Sequence, residues 1–235
     1  MDNFVTLNLK HGAMNVLIVY AHPEPQSMNG AMFRAAVNTL ETAGHAVQTT
    51  DLYGMQFNPV SDRYNFTTVH NREFFKQQLE EIYATEHRGF APHIETELRK
   101  VEWCDLMIWQ FPLWWFGIPA ILKGWADRVF AMGRTYGNGH FYENGVFKGK
   151  KALLSLTTGG EPEAYIKGGF NGDLAGMLRP VHRGILQFTG FTVLAPQVVY
   201  GPARIGEELR NQALAQWQLR LKDIFNEPAF AVGAY

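Results

Sequence analysis

DLMIWQFPLWWFGIPAILKGWADRVF, residues 105–130, changes character twice within one short stretch. Asp105–Gln110 is an apolar run of strand length, the pattern of a strand buried on both faces. Pro119–Met132 has helical spacing, with Ile121, Leu122, Trp125 and Val129 on one side. Between them, Phe111–Gly117 crowds aromatics beside Pro112 and Leu113. Trp114, Trp115 and Phe116 are consecutive, and three adjacent side chains cannot all face one core. A flat, apolar, electron-rich ligand resting on the loop would explain them; a core or subunit-interface patch is the competing explanation.

The same strand–loop–helix unit recurs along the chain. Asn15–Ala21 (NVLIVYA) reads as a buried strand. A helix capped by Ser27 follows to about Ala43, ended by Gly44. Ala46–Leu52 is a second strand and Lys151–Leu156 a fourth. Phe191–Val199 is expected as one fifth strand and Ile205–Phe225 as the last helix. A helix begins at Pro92 and runs to about Trp103, and another, near Leu174–Phe188, should be kinked by Pro180. Residues 53–91 interrupt the alternation as a long excursion with a helix expected near Arg72–Tyr83. An insertion of that length is more often functional than idle. Alternating strands and helices imply a parallel sheet covered on both faces. Five strands favour the flavodoxin-like order 2-1-3-4-5 over a six-stranded Rossmann sheet. Neither G-x-G-x-x-G nor a Walker G-x-x-x-x-G-K-[ST] follows the first strand.

Composition narrows the function classes. The 235 residues are 46% apolar and 18% charged, with a formal net charge of −1. That suits one domain, residues 14–235, with no bulk nucleic-acid footprint. No apolar run approaches the roughly 20 residues of a membrane span. Cys104 is the only cysteine, so an oxidising compartment is not implied and the cytoplasm is the default location; it reads as a small, half-buried thiol. The prefix at residues 1–13 has no signal-peptide core. It is expected to be an alternative start or cloning scar, disordered ahead of a functional start at Met14. None of the eight histidines forms an H-x-x-x-H pair, so no metal site is expected. There is no G-x-S-x-G elbow either. Glu80–Glu81 and Glu161/Glu163 read as solvated charges.

In a 2-1-3-4-5 sheet, ligands bind beyond the carboxyl ends of strands 1 and 3. The loops after strands 1, 3 and 4 should therefore converge. His22, Ser27, Met28 and Asn29 lie at a helix N-terminus, whose free amides and partial positive charge suit phosphate, although ordinary capping would look the same. Phe111–Gly117 offers rings and main-chain groups together. Thr157, Thr158, Gly159 and Gly160 could bring backbone donors close to a ligand and stabilise developing negative charge.

The chain resembles the NAD(P)H:quinone oxidoreductase (DT-diaphorase) family of flavodoxin-like flavoproteins. The resemblance rests on LIVYAHPEPQSMN, DLYGMQFNP, QFPLWWFGIPAILKGWADRVF, TTGGEPEAY and GILQFTGF, and covers residues 14 to about 200. It implies FAD, ahead of FMN, with NAD(P)H as cosubstrate and two-electron (hydride) transfer to quinones by a ping-pong mechanism. It also implies a homodimer in which the partner supplies part of each site. His22, Met28 and Asn29 would contact the pyrophosphate and adenosine side, while Leu113, Trp114, Trp115 and Phe116 would line the isoalloxazine. Thr157, Thr158, Gly159 and Gly160 would hold its pyrimidine edge. Tyr165, with the Gly159 and Gly160 amides, would stabilise the reduced ring. Tyr136, Asn138 and Asn171 would face the substrate.

Two of these positions depart from the family. Asn171 stands where a histidine usually pairs with the tyrosine, and asparagine cannot titrate. Asn138 replaces a second pocket tyrosine. The long C-terminal extension of some members is also not expected here. These departures keep other readings open: an azo or nitro acceptor on the same flavin, or a flavin-bound regulatory subunit of a cation-efflux system. An FMN electron carrier would show a strongly acidic face, which the net charge opposes.

Overall fold

The computed structural model describes residues 12–233, so the expectation for the prefix falls, over residues 1–11, outside the described residues. The apolar runs become β1 (Asn15–Tyr20), β2 (Ala46–Asp51), β3 (Leu106–Pro112) and β4 (Lys151–Thr157). The expected fifth strand is two short strands, β5 (Thr192–Val193) and β6 (Gln197–Val199). Pro196, with no N–H to donate, separates them. Each pairs with a different part of β4, β5 at Lys151–Ala152 and β6 at Ser155–Thr157. All pairings are parallel, in the order β2-β1-β3-β4-β5 with β6 also on β4.

Side chains alternate between two cores, as the period of a strand requires. Val16, Ile18, Leu106, Ile108 and Leu153 pack toward α1 (Met28–Thr42) and α6 (Glu207–Leu221). Trp217 of α6 is fully buried and donates its indole N–H to the Met32 carbonyl of α1 (3.1 Å). The opposite face carries Leu17, Val19, Met107, Trp109 and Leu154. It is covered by α3 (Pro92–Trp103), α4 (Ala120–Val129) and α5 (Leu174–Val181). There Trp109, Trp125 and Phe130 meet edge to face at 5.8–6.2 Å, the arrangement ring quadrupoles favour. Cys104 is wholly rather than half buried, and burial pushes its thiol up to about 12, which leaves it inert.

The excursion is docked on α4. Arg128 is buried and donates to Asn65 Oδ1 and the Asn58 carbonyl, both at 2.6 Å. A Cβ on Gly124 would lie 2.3 Å from the Pro59 carbonyl, so only glycine permits this approach. The excursion's helix, α2, spans Gln77–His87 rather than Arg72–Tyr83. Asn71 Oδ1 accepts the amides of Glu73 and Phe74, and Glu80 accepts those of His70 and Asn71. These side chains offer the backbone turns instead of a helix. Glu80 and Glu81 are therefore buried, not solvated, whereas Glu161 and Glu163 are exposed as expected.

Pro180 does more than kink its helix. α5 ends at Val181, and His182–Gln187 continues as a wider π-helical segment. The proline leaves a carbonyl without its amide one turn back, and the chain re-registers around it. His182 in this segment is buried against Phe230, and its Nε2 has no partner among the described residues. Burial lowers its pKa from 6.5 to about 4. The folded value lies below the unfolded one, so the unfolded chain takes the proton first. This contribution is complete above pH 6.5 and is lost toward pH 4, by up to about 1.4 kcal/mol per pH unit. Denaturant unfolding between those pH values should show this slope, and His182→Gln should reduce it. Equal slopes in the two proteins would contradict a buried, neutral histidine.

Candidate active site

The crevice is organised from inside the sheet. Gln110, near the end of β3, donates from Nε2 to Asn29 Oδ1 (2.7 Å). Asn29, in the first turn of α1, donates from Nδ2 to Thr157 Oγ1 at the end of β4 (2.8 Å). All three residues are buried, so this chain fixes the start of α1 over the ends of two strands. Ser27 caps the helix, its Oγ accepting the Gly30 amide (3.1 Å). The amides of Met28 and Asn29 have no acceptor among the described residues. A Cβ on Gly30 would lie 2.0 Å from the Pro25 carbonyl, so the loop after β1 can fold tightly onto the helix only at glycine. Within that loop the His22 ring sits 6.1 Å from Trp114. Burial lowers the pKa of His22, which favours the neutral ring, and Nδ1 accepts the Glu24 amide (2.9 Å).

Pro112 is the buried last residue of β3, opposite Thr157, and the Leu113 amide donates to the Thr157 carbonyl (2.8 Å). The aromatic run then turns in two residues. Trp114 and Gly117 exchange both backbone hydrogen bonds, at 3.0 and 3.1 Å. The central residues, Trp115 and Phe116, have φ of +50° and +58°. This is the left-handed conformation of a type I′ turn, normally given to Asn-Gly. For bulky residues it costs roughly 1–2 kcal/mol each. Burial does not offset the cost, because Trp114, Trp115 and Phe116 are 41%, 98% and 51% exposed. The amides of Trp115 and Phe116 also have no acceptor among the described residues.

After β4, Thr158 is held at both ends: its amide donates to the Val199 carbonyl (3.1 Å) and its Oγ1 to the Gly160 carbonyl (2.8 Å). The Gly159 and Gly160 amides are left without acceptors among the described residues. A Cβ on Gly160 would meet the Tyr165 ring at 3.2 Å and the Asn171 amide at 3.4 Å. Gly159, Gly160, Tyr165 and Asn171 therefore share one cavity of about 640 Å³, with Phe170 and Arg204 also in its wall. Tyr165 is buried, its ring 6.0 Å from Tyr200.

The other substrate-facing candidates lie elsewhere. Tyr136 lines a second cavity, of about 480 Å³, between α2, α4 and the π-helical segment. Asn138 is exposed in the Gly137–His140 turn with φ of +53° and borders neither cavity. Both belong to the connection between α4 and β4, which packs on the excursion at Met132–Gly133, on α3 through Arg134, and on the π-helical segment through Tyr142 and Phe147. Three residues of these sites escaped the sequence reading. Gln110 looked like an ordinary end of an apolar strand, although a lone amide there was a signal. Arg204 follows a strand whose loop carries no motif, and Glu81 looked like surface charge. Among the described residues no group of His, Cys, Asp or Glu could hold a metal ion, and no helix is long and apolar enough to cross a membrane.

Known proteins resemble this chain in both sequence and fold. A profile described as the flavodoxin-like fold matches residues 14–222. The chain is 47% identical over 213 residues to rat (Rattus norvegicus) ribosyldihydronicotinamide dehydrogenase (quinone), covering 90% of this chain and 92% of that one. It is 44% identical over 212 residues to NAD(P)H dehydrogenase (quinone) 1 of Cavia porcellus, covering 90% and 77%. The chain belongs to the flavodoxin-like NAD(P)H:quinone oxidoreductase family. A crystal structure of a candidate quinone reductase from Klebsiella pneumoniae superposes with a TM-score of 0.89 at 38% identity, covering 92% of this chain and 87% of that one.

Within this family member the left-handed turn is the clearest local conflict between sequence and backbone. Trp115→Asn should stabilise the protein by about 1 kcal/mol, because asparagine tolerates this conformation and almost no burial is lost. Thermal unfolding of the ligand-free protein tests this. A lower melting temperature would show that the turn is not strained.

Proposed function

We propose that this chain binds FAD across the three loops and, as a homodimer, reduces quinones with NAD(P)H by alternating half-reactions. One observation carries the reading. Unsatisfied amides at Met28–Asn29, Trp115–Phe116 and Gly159–Gly160 belong to the three loops at the sheet's switch point, beside an aromatic turn kept in a costly conformation. The fit to a flavin is chemical. A helix N-terminus suits a pyrophosphate, exposed rings suit a planar heteroaromatic, and glycine amides suit a polar ring edge. FAD is preferred to FMN on the family resemblance; the helix N-terminus after β1 would suit the phosphate of either flavin.

When bound, the flavin supplies reversible two-electron chemistry, and the protein orients and tunes it. In this reading Ser27 shapes the helix end, and the Met28 and Asn29 amides hold the pyrophosphate, with neutral His22 alongside. Pro112 and Leu113 fix the turn, and Trp114, Trp115 and Phe116 form the surface under the ring. Thr157 and Thr158 set the height of the Gly159 and Gly160 amides. These amides and the Tyr165 hydroxyl stabilise negative charge at the polar edge, as an oxyanion hole does. Asn171, beside Tyr165, can hydrogen-bond but cannot relay a proton. The separation of Tyr136 and Asn138 from this crevice supports the homodimer, in which each subunit would offer them to its partner's site. Tyr64 and Phe74, exposed on the excursion, support an interface there. A cytoplasmic setting belongs to the same proposal; the single buried thiol asks for no oxidising compartment.

The purified protein should show a flavin visible spectrum and release FAD stoichiometrically by mass. It should turn over quinones faster than azo or nitro acceptors. Released FMN, absence of flavin, or a faster azo or nitro substrate would overturn the corresponding part. Tyr165→Phe should slow flavin reduction by NAD(P)H roughly 100-fold in stopped flow; an unchanged rate removes Tyr165 from the mechanism.

A further inference from the structure

Glu81 is a carboxylate only 2% exposed, with no cationic partner among the described residues. Its neighbour Glu80 faces Arg63 and the amides of His70 and Asn71. Glu81 instead faces the second cavity, where its Oε2 accepts the Met132 amide (2.7 Å) and its Oε1 the Gln77 side chain (2.9 Å). Met132 opens the turn that carries Tyr136. The turn closes on the Gly133 amide donating to the Tyr136 carbonyl (2.8 Å), and Met132 and Tyr136 form a bridge. A Cβ on Gly133 would approach Thr85 Oγ1 of α2 at 3.2 Å, so the turn is seated on the same helix as Glu81. The remaining charges are engaged elsewhere. Arg134 is held by Glu95 and Glu102, and Lys123 and Asp127 pair with each other at 2.6 Å on the cavity rim. Phe130 and Phe188 make up much of the cavity's apolar wall.

We propose that Glu81 is a positioning residue: its buried carboxylate fixes the Met132–Tyr136 turn and so holds Tyr136, in the cavity wall, where its hydroxyl can donate to the oxygen of an aromatic acceptor. This rests on the reading of Tyr136 as acceptor-facing. The electrostatics agree. Burial raises the pKa of Tyr136, the negative charge of Glu81 raises it further, and a hydrogen bond from Gln78 opposes both. Burial also pushes the Glu81 carboxyl above its usual range, against the bonds from Met132 and Gln77.

The test uses the flavin-loaded protein and three substitutions. Glu81→Gln keeps an acceptor for the Met132 amide and removes the charge. The Tyr136 phenol, isolated by difference against Tyr136→Phe, should then titrate at lower pH than in the unsubstituted protein. Gln78→Leu should move it the opposite way. A purely structural role would not give shifts of opposite sign. With a simple benzoquinone as acceptor, Glu81→Gln should raise KM about 10-fold with a smaller effect on kcat. If Tyr136→Phe leaves the quinone KM unchanged, the acceptor-facing reading falls and takes the proposal with it. If Tyr136→Phe raises KM but Glu81→Gln moves neither the titration nor KM, only the proposal for Glu81 is overturned. Should Glu81→Gln fail to fold, a fourth substitution, Glu81→Asp, whose shorter carboxylate withdraws from the Met132 amide, is measured instead, and an unchanged quinone KM overturns the proposal.

Discussion

The Gln110 amide and the Thr157 hydroxyl are buried near the ends of adjacent strands, out of reach of bulk water. Each needs a partner, since a buried polar group left alone costs about 1–3 kcal/mol. Asn29 serves both, accepting from one and donating to the other. Because Asn29 sits in the first turn of α1, satisfying the sheet also fixes the helix. Its unsatisfied N-terminal amides are then held over the carboxyl ends of β3 and β4. The turn after β3 is tied to the same point, through the Leu113 amide on the Thr157 carbonyl. One buried constraint thus holds three loops that are far apart in sequence.

A second feature works against stability. Trp115 and Phe116 occupy a turn that glycine and asparagine adopt at little cost, and they expose large apolar surfaces there. A local rule broken with no gain in folding is the pattern expected at a functional site. Rigid hydrogen bonding thus holds one side of the crevice and a strained aromatic turn the other.

The buried strands and their order could be read from the sequence because apolar runs such as NVLIVYA carry that information locally. Ser27 as a cap, Pro92 as a helix start and the clustering of the loops after strands 1, 3 and 4 follow from equally local signals. What escaped depends on long-range partners. The start of α2 was set by Asn71 and Glu80 side chains competing with the helix, and the break before Gln197 by a proline inside an otherwise strand-like run. Glu80 and Glu81 look like surface charge until their acceptor roles are seen. Gln110 becomes part of the site only once α1 lies beside β3. The separation of Tyr136 from Tyr165 cannot be read from spacing, because it reflects how the connection between α4 and β4 packs on the excursion.

A crystal structure of the protein reconstituted with FAD would show whether the three loops form a single flavin cradle. In such a cradle the pyrophosphate sits on the Met28 and Asn29 amides, the ring lies against Trp114–Phe116, and its polar edge meets the Gly159 and Gly160 amides. A flavin bound elsewhere, such as in the Tyr136 cavity of its own chain, or a ring that leaves the Trp115–Phe116 turn untouched, would contradict it.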